Sequence, residues 1–174
     1  MMPVLSTDSR RELETQRFPI LVYALVPLVG LVLQAWLPRL LGRFAFFDLP
    51  LLVTVYFALG RRSPVQGTVM GCILGLFQDA LTHNAIGING VAKTVIGFLA
   101  ASTGVRIAVD NHMIRLVLIF LLSLLSSTLY IFVNRSLLGL ALDANWFGEL
   151  YKAVGNSAIA LVVFPFLDRL QIRD

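Results

Sequence analysis

Three ionisable side chains lie within strongly apolar parts of this sequence. Asp48 begins one apolar stretch, Asp79 lies near the end of the next, and Lys93 lies inside a third. A charge at membrane depth costs about 3 kcal/mol on insertion scales, so such groups pair with one another or face protein or water. Charges at these positions can form ion pairs, bind a polar ligand or hold a partner, and they mark the functional interior of the molecule.

The composition predicts an integral membrane protein. The chain has 174 residues, a mean hydropathy of +0.82, 57% hydrophobic residues and 14% charged residues, which excludes an ordinary soluble domain and a disordered chain. The apolar runs lack the strict alternation of a membrane barrel, so helices must satisfy the backbone. The basic residues are scattered between apolar stretches, which disfavours nucleic-acid binding. We therefore expect an all-α polytopic membrane protein in contact with the lipid bilayer.

Six apolar stretches approach the length of a membrane-spanning helix, which is about 20 residues. They cover residues 18–37, 46–60, 66–82, 88–105, 114–134 and 148–167. The second and third are short, which calls for burial among neighbours, snorkelling or a locally thinner bilayer. The predicted organisation is a cytoplasmic N-terminal segment at 1–17, a six-helix transmembrane domain at 18–170 and a cytoplasmic tail at 171–174.

The arginines predict that both termini are cytoplasmic, because cytoplasmic loops carry an excess of basic residues. With six spans, the inner side receives Arg10, Arg11, Arg17, Arg61, Arg62, Arg106, Arg115, Arg169 and Arg173, and the outer side receives Arg39, Arg43 and Arg135. Asp48, Asp79 and Lys93 then lie in the outer half of the membrane. Glu149, Lys152 and Asn156 open the sixth span on the same side. We expect a polar site or a partner interface there.

Three glycines repeat every fourth residue in the third predicted span. Gly67, Gly71 and Gly75 give the helix a smooth stripe that another helix can approach closely. One interpretation is packing against a neighbouring span of the same chain. The other is contact with a different protein or with a second copy of the chain.

The third and fourth spans are predicted to form a tight antiparallel hairpin. Gln78 and Asp79 lead through a short glycine-containing loop to Asn89 and Lys93. Asn89 is expected to cap the fourth helix, and the side chains of Asp79 and Lys93 are expected to come within reach of each other. These two residues are interpreted either as a structural ion pair or as a contact for a ligand, a proton or a partner.

Other polar residues have ordinary structural explanations. Asp48 is followed two residues later by proline, which is typical of a helix N-cap. Glu149 and Lys152 are spaced to pair on one helix face, or to act as interfacial anchors beside Trp146 and Tyr151. We favour anchoring.

The sequence contains no recognisable catalytic constellation. It has no Ser/His/Asp set, no H-E-x-x-H motif and no glycine-rich phosphate loop. His83 and His112 are predicted on opposite sides of the membrane, which does not suit a metal site. We expect no enzymatic activity, no cofactor and no metal ion.

A longer pattern begins at Asp48 and ends at Leu99. It reads DLPLLVTVYFALG, then the arginine loop RRSP, then GTVMGCILGLFQDAL, and after a short loop GIN followed by Lys93. In this order the segment resembles the MreD family of rod-shape-determining membrane proteins. The flanking spans agree with that family in number, size and topology.

The resemblance implies a non-enzymatic component of the bacterial inner membrane that takes part in cell-wall (peptidoglycan) elongation. Such proteins bind MreC and connect indirectly with MreB filaments and with the synthases RodA and PBP2. The family's fold is also related to the substrate-binding subunits of energy-coupling-factor vitamin transporters.

Two functions therefore stay open. In the first, the bundle is an adaptor whose outer half, including Asp79, Lys93 and the glycine stripe, shapes the MreC interface. In the second, it is a substrate-binding or lipid-binding membrane subunit with a cavity lined by Asp48, Asp79 and Lys93.

Overall fold

The computed structural model describes residues 18–40, 42, 47–82, 85–106, 111–139 and 145–170. These residues form six α-helices: α1 (Ile20–Leu40), α2 (Leu49–Arg61), α3 (Pro64–Thr82), α4 (Ile88–Arg106), α5 (His112–Leu138) and α6 (Trp146–Asp168). The described part of the chain contains no strand, so the predicted all-helical class is confirmed. The predicted terminal segments at 1–17 and 171–174, and His83, lie outside the described residues.

Four of these helices are long and apolar enough to cross a membrane, namely α1, α4, α5 and α6. Helix α2 is apolar but has only 13 residues, which corresponds to about 20 Å. The interpretation of all six helices as spans, with both termini in the cytoplasm, stays a prediction.

Helix α2 lies at the centre of the bundle. Every residue from Pro50 to Gly60 is buried, and α2 packs against each of the other five helices. A helix enclosed by protein does not have to match the thickness of the bilayer, because lipid does not reach it. The structure therefore shows that α2 is buried among its neighbours. Such burial is one of the three ways in which a short span was expected to be accommodated.

The glycine stripe of α3 is used within the chain. Gly71 lies against the backbone carbonyl of Lys93, Gly75 lies against that of Asn89, and Gly67 lies against Gly97. A Cβ atom at any of these three positions would overlap the backbone of α4, so only glycine permits this approach. The stripe therefore packs against a neighbouring helix of the same chain, which is one of the two interpretations given for it, and the contact between α3 and α4 is the most extensive among the described helices.

Successive helices run in opposite directions, which gives the bundle two ends. At one end, the Tyr56 hydroxyl donates to Asp168 Oδ1 over 2.8 Å and Arg115 Nη1 contacts Asp168 Oδ2 at 2.8 Å. We call this the Asp168 end. The opposite end holds the start of α2, including Asp48, together with the end of α3 and the start of α4. We call it the Asp48 end.

Candidate functional site

Lys93 is the buried cation of the Asp48 end. Its Nζ lies 2.7 Å from Asp48 Oδ2 and donates to Asn89 Oδ1 over 3.2 Å. The Lys93 side chain is 0% exposed, whereas that of Asp48 is 22% exposed. An ion pair in such surroundings needs good geometry and further hydrogen bonds to offset desolvation, and the Asn89 amide supplies one of these bonds.

Asp79 has a different role from the one expected. Its Oδ2 accepts hydrogen bonds from the backbone N–H groups of Gly87 at 2.9 Å and Asn89 at 3.0 Å. A third N–H, that of Gly90, lies at 3.4 Å. A carboxylate suits this position because the first N–H groups of a helix lack partners and carry the positive end of its dipole. Asp79 of α3 therefore caps the start of α4.

Two expectations about the hairpin are corrected by this geometry. Lys93 pairs with Asp48 and not with Asp79, because the side chain of Asn89 lies between them: its Nδ2 donates to Asp79 Oδ1 over 2.7 Å and its Oδ1 accepts from Lys93. Asn89 lies inside α4, so it is not the residue that caps this helix. It connects the two charged groups instead.

Asp48 combines the cap predicted for it with the ion pair. Its Oδ1 accepts from the Leu51 N–H at 3.0 Å, which caps α2, and from Gln78 Nε2 at 3.3 Å. Its own N–H donates to Asn156 Oδ1 over 3.0 Å. Asp48 thus connects α2 with α3, α4 and α6 in one place.

Ser123 of α5 and Gln34 of α1 take part in the network although neither was among the predicted site residues. Ser123 Oγ accepts from Asn156 Nδ2 over 2.7 Å, which extends the network to α5. Gln34 of α1 donates to the Phe47 carbonyl at 2.9 Å and accepts from the Leu49 N–H at 3.0 Å. The signal for Gln34 was available, since a single amide inside an apolar helix needs hydrogen-bond partners when it is buried.

Glu149 and Lys152 form the ion pair that their spacing allows. Lys152 Nζ lies 2.8 Å from Glu149 Oε1 on the first turns of α6. Trp146 and Tyr151 beside them are exposed, as an interfacial position requires. The role of this segment as a membrane anchor stays a prediction.

A cavity of about 610 Å³ lies at the Asp48 end between α1, α5 and α6 and the ends of α2 and α3. Six of the predicted polar residues line it: Asp48, Gln78, Asn89, Glu149, Lys152 and Asn156. Asp79 and Lys93 are fully buried behind its wall and do not line it. A cavity therefore lies where a polar site was predicted. Of the three charged residues predicted to line it, Asp48 does so, whereas Asp79 and Lys93 do not.

The charges around this cavity are largely compensated. Asp48 is paired with Lys93, and Glu149 with Lys152. Within the described ranges, no group of three or more His, Cys, Asp or Glu side chains is placed to hold a metal ion. The chemistry that this arrangement offers is hydrogen bonding to a polar group.

The helical bundle, with its four long apolar helices and a polar cluster at one end, defines a helical membrane protein. The model of the family described as rod shape-determining protein MreD matches residues 15–171. The chain therefore belongs to the MreD family, and the resemblance seen in the segment Asp48 to Leu99 is confirmed. No curated protein and no solved structure matches the chain.

Proposed function

We propose that this protein is a multi-pass adaptor of the bacterial inner membrane that binds MreC in the cell-elongation complex. It would connect cytoplasmic MreB with the wall synthesis of RodA and PBP2. The observation that carries this proposal is the match to the MreD family over residues 15–171. Six spans with cytoplasmic termini are part of the proposal.

The arginines support the proposed orientation. Arg61, Arg62, Arg106, Arg115 and Arg169 belong to the Asp168 end, whereas Arg39 and Arg135 belong to the Asp48 end. The positive-inside rule then assigns the Asp168 end to the cytoplasm. The Asp48 end, with its polar cavity, would face outward.

Single cysteines test this orientation. In a Cys72→Ala background, we expect Ser136→Cys near the end of α5 to react with a membrane-impermeant maleimide in spheroplasts. Ser63→Cys, between α2 and α3, should react only after permeabilisation. The reverse pattern would contradict the proposed orientation.

The surface that contacts MreC is expected on the first turns of α6. Phe147 is 87% exposed there, and Trp146 and Tyr151 are exposed beside it. Aromatic residues of this kind dominate the binding energy of many protein interfaces. Asp79 and Lys93 are fully buried, so they would act on MreC only by holding the ends of α2 and α4 in place.

A photo-crosslinking amino acid tests the interface directly. We expect Phe147 replaced by such a residue to give an adduct with MreC in membranes. Val162 is the matched control, because it is also well exposed on α6 but lies nearer the Asp168 end. Adducts from position 162 alone, or from neither position, would contradict this interface.

A further inference from the structure

The wall of the cavity at the Asp48 end carries hydrogen-bonding groups that the protein itself leaves unused. Gln78 lines the cavity and is 7% exposed, and its buried Oε1 has no hydrogen-bond partner among the described residues. Its Nε2 is oriented toward Asp48, which leaves Oε1 to accept from something else. Buried polar atoms are nearly always satisfied, so this oxygen indicates a missing donor.

The serines of α5 give a second and independent indication. Most hydroxyls of the bundle donate to the carbonyl four residues earlier, as Thr54, Thr94 and Ser157 do. Ser126 and Ser127 line the cavity, and within the described part of the chain their hydroxyls form no such bond. Both hydroxyls are therefore available to a molecule in the cavity.

The shape and charge of the cavity restrict what that molecule can be. Its volume of about 610 Å³ falls in the range of small-molecule sites and exceeds the space of a few waters. The interior charges are paired with one another. Arg39 also lines the cavity. It is exposed on α1 and forms no ion pair with any described residue.

We infer that this cavity binds a hydroxyl-rich group, that is, a sugar, through Gln78 Oε1, the hydroxyls of Ser126 and Ser127, and the hydroxyl of Tyr130, which also lines the cavity. A sugar supplies donors and acceptors at close spacing, and it needs no counter-ion. It is either free or the headgroup of a glycolipid whose chains remain in the bilayer. The inference is independent of MreC binding, since it concerns the chain alone.

Native mass spectrometry of the purified protein ejected from phosphatidylcholine nanodiscs tests the inference. The discs contain either glucosyl diacylglycerol or phosphatidic acid, an anionic lipid without a sugar. We expect the glucosyl lipid to be retained and phosphatidic acid to be lost. Displacement of the retained lipid by free glucose would show that the sugar alone can occupy the site, and failure to displace it would show that binding also needs the lipid part of the glycolipid.

Variants make the assignment specific. Ser126→Ala/Ser127→Ala should weaken retention of the glucosyl lipid about tenfold or more, because two hydroxyl contacts are lost. Ser102→Ala is the matched control, since this exposed hydroxyl of α4 bonds to its own helix, and Arg39→Gln should also leave retention unchanged. No retention by wild type, equal retention by the double variant, or retention of phosphatidic acid that depends on Arg39 would overturn the inference.

Discussion

Asp48 and Lys93 join the start of α2 to α4 through a contact of 2.7 Å, and the two residues are unequally buried. Lys93 is enclosed on all sides, whereas the Asp48 side chain reaches the polar cavity. The carboxylate also has the Leu51 N–H and Gln78 as donors. Removal of Asp48 should therefore destabilise the charge on Lys93 more than removal of Lys93 destabilises the charge on Asp48.

The first prediction follows from this inequality. Asp48→Asn should lower the free energy of unfolding by about 3–5 kcal/mol, because it leaves a buried ammonium without its counter-charge. Lys93→Met should have a smaller effect, since Asp48 keeps two donors and access to the cavity. The measurement is unfolding of the purified protein in mixed micelles.

The double variant provides the control for this prediction. Asp48→Asn combined with Lys93→Met should be less destabilised than the sum of the two single variants, because residues in direct contact are not additive. Additive effects, or a larger loss for Lys93→Met, would show that the ion pair does not act as described.

The second prediction concerns the cap that Asp79 provides for α4. Asp79→Asn keeps the size of the side chain but replaces one acceptor oxygen by a donor that faces backbone N–H groups. The free energy of unfolding should fall by about 1.5–3 kcal/mol, as for other buried hydrogen bonds to a charged group. Hydrogen exchange of the amides at 87–90 should accelerate at the same time.

Glu149→Gln is the comparison for Asp79→Asn. It removes a charge from a partly exposed pair on one helix, which contributes about 1 kcal/mol or less. If both variants had the same stability and the same exchange at 87–90, the capping role of Asp79 would be refuted.

The third prediction uses two glycines in different surroundings. Gly71→Ala places a Cβ onto the Lys93 carbonyl, so α3 and α4 must move apart. The free energy of unfolding should fall by about 1–3 kcal/mol or more. At Gly148 the nearest atoms to an added Cβ are 3.6 Å away, so Gly148→Ala should be neutral or slightly stabilising. Thermal unfolding of both variants in detergent is the measurement, and similar melting temperatures would contradict the prediction.

The fourth prediction concerns the Asp168 end. Tyr56→Phe removes the hydroxyl that donates to Asp168 but keeps the ring, whose centroid lies 4.9 Å from that of Phe164. The loss should be about 1 kcal/mol, the usual contribution of one hydrogen bond. Arg115→Met should lower the free energy of unfolding by more than Tyr56→Phe does, because it removes a charged donor from the same carboxylate. Chemical unfolding of the two variants checks this order, and a larger loss for Tyr56→Phe would reverse it.

Much of the fold could be predicted because it depends on local composition. The six apolar stretches lie within a few residues of the helices α1 to α6. The spacing of Gly67, Gly71 and Gly75 indicated a closely packed face, and the proline after Asp48 indicated a helix start. Each of these signals is contained in a few neighbouring residues.

The pairing within the site could not be predicted in the same way. Distance along the hairpin favoured Asp79 as the partner of Lys93, whereas the actual partner, Asp48, is 45 positions away along the chain. That choice depends on how α2 packs against α4 and on the side chain of Asn89, and sequence spacing describes neither. The same holds for Ser123 and Gln34, whose hydroxyl and amide acquire partners only when the helices assemble.

The central position of α2 has a consequence for biogenesis. The residues from Pro50 to Gly60 are covered largely by helices that the ribosome makes after them. A short segment headed by a carboxylate has little to hold it in lipid on its own. We therefore expect α2 to reach its final position only after the later helices that enclose it have been synthesised.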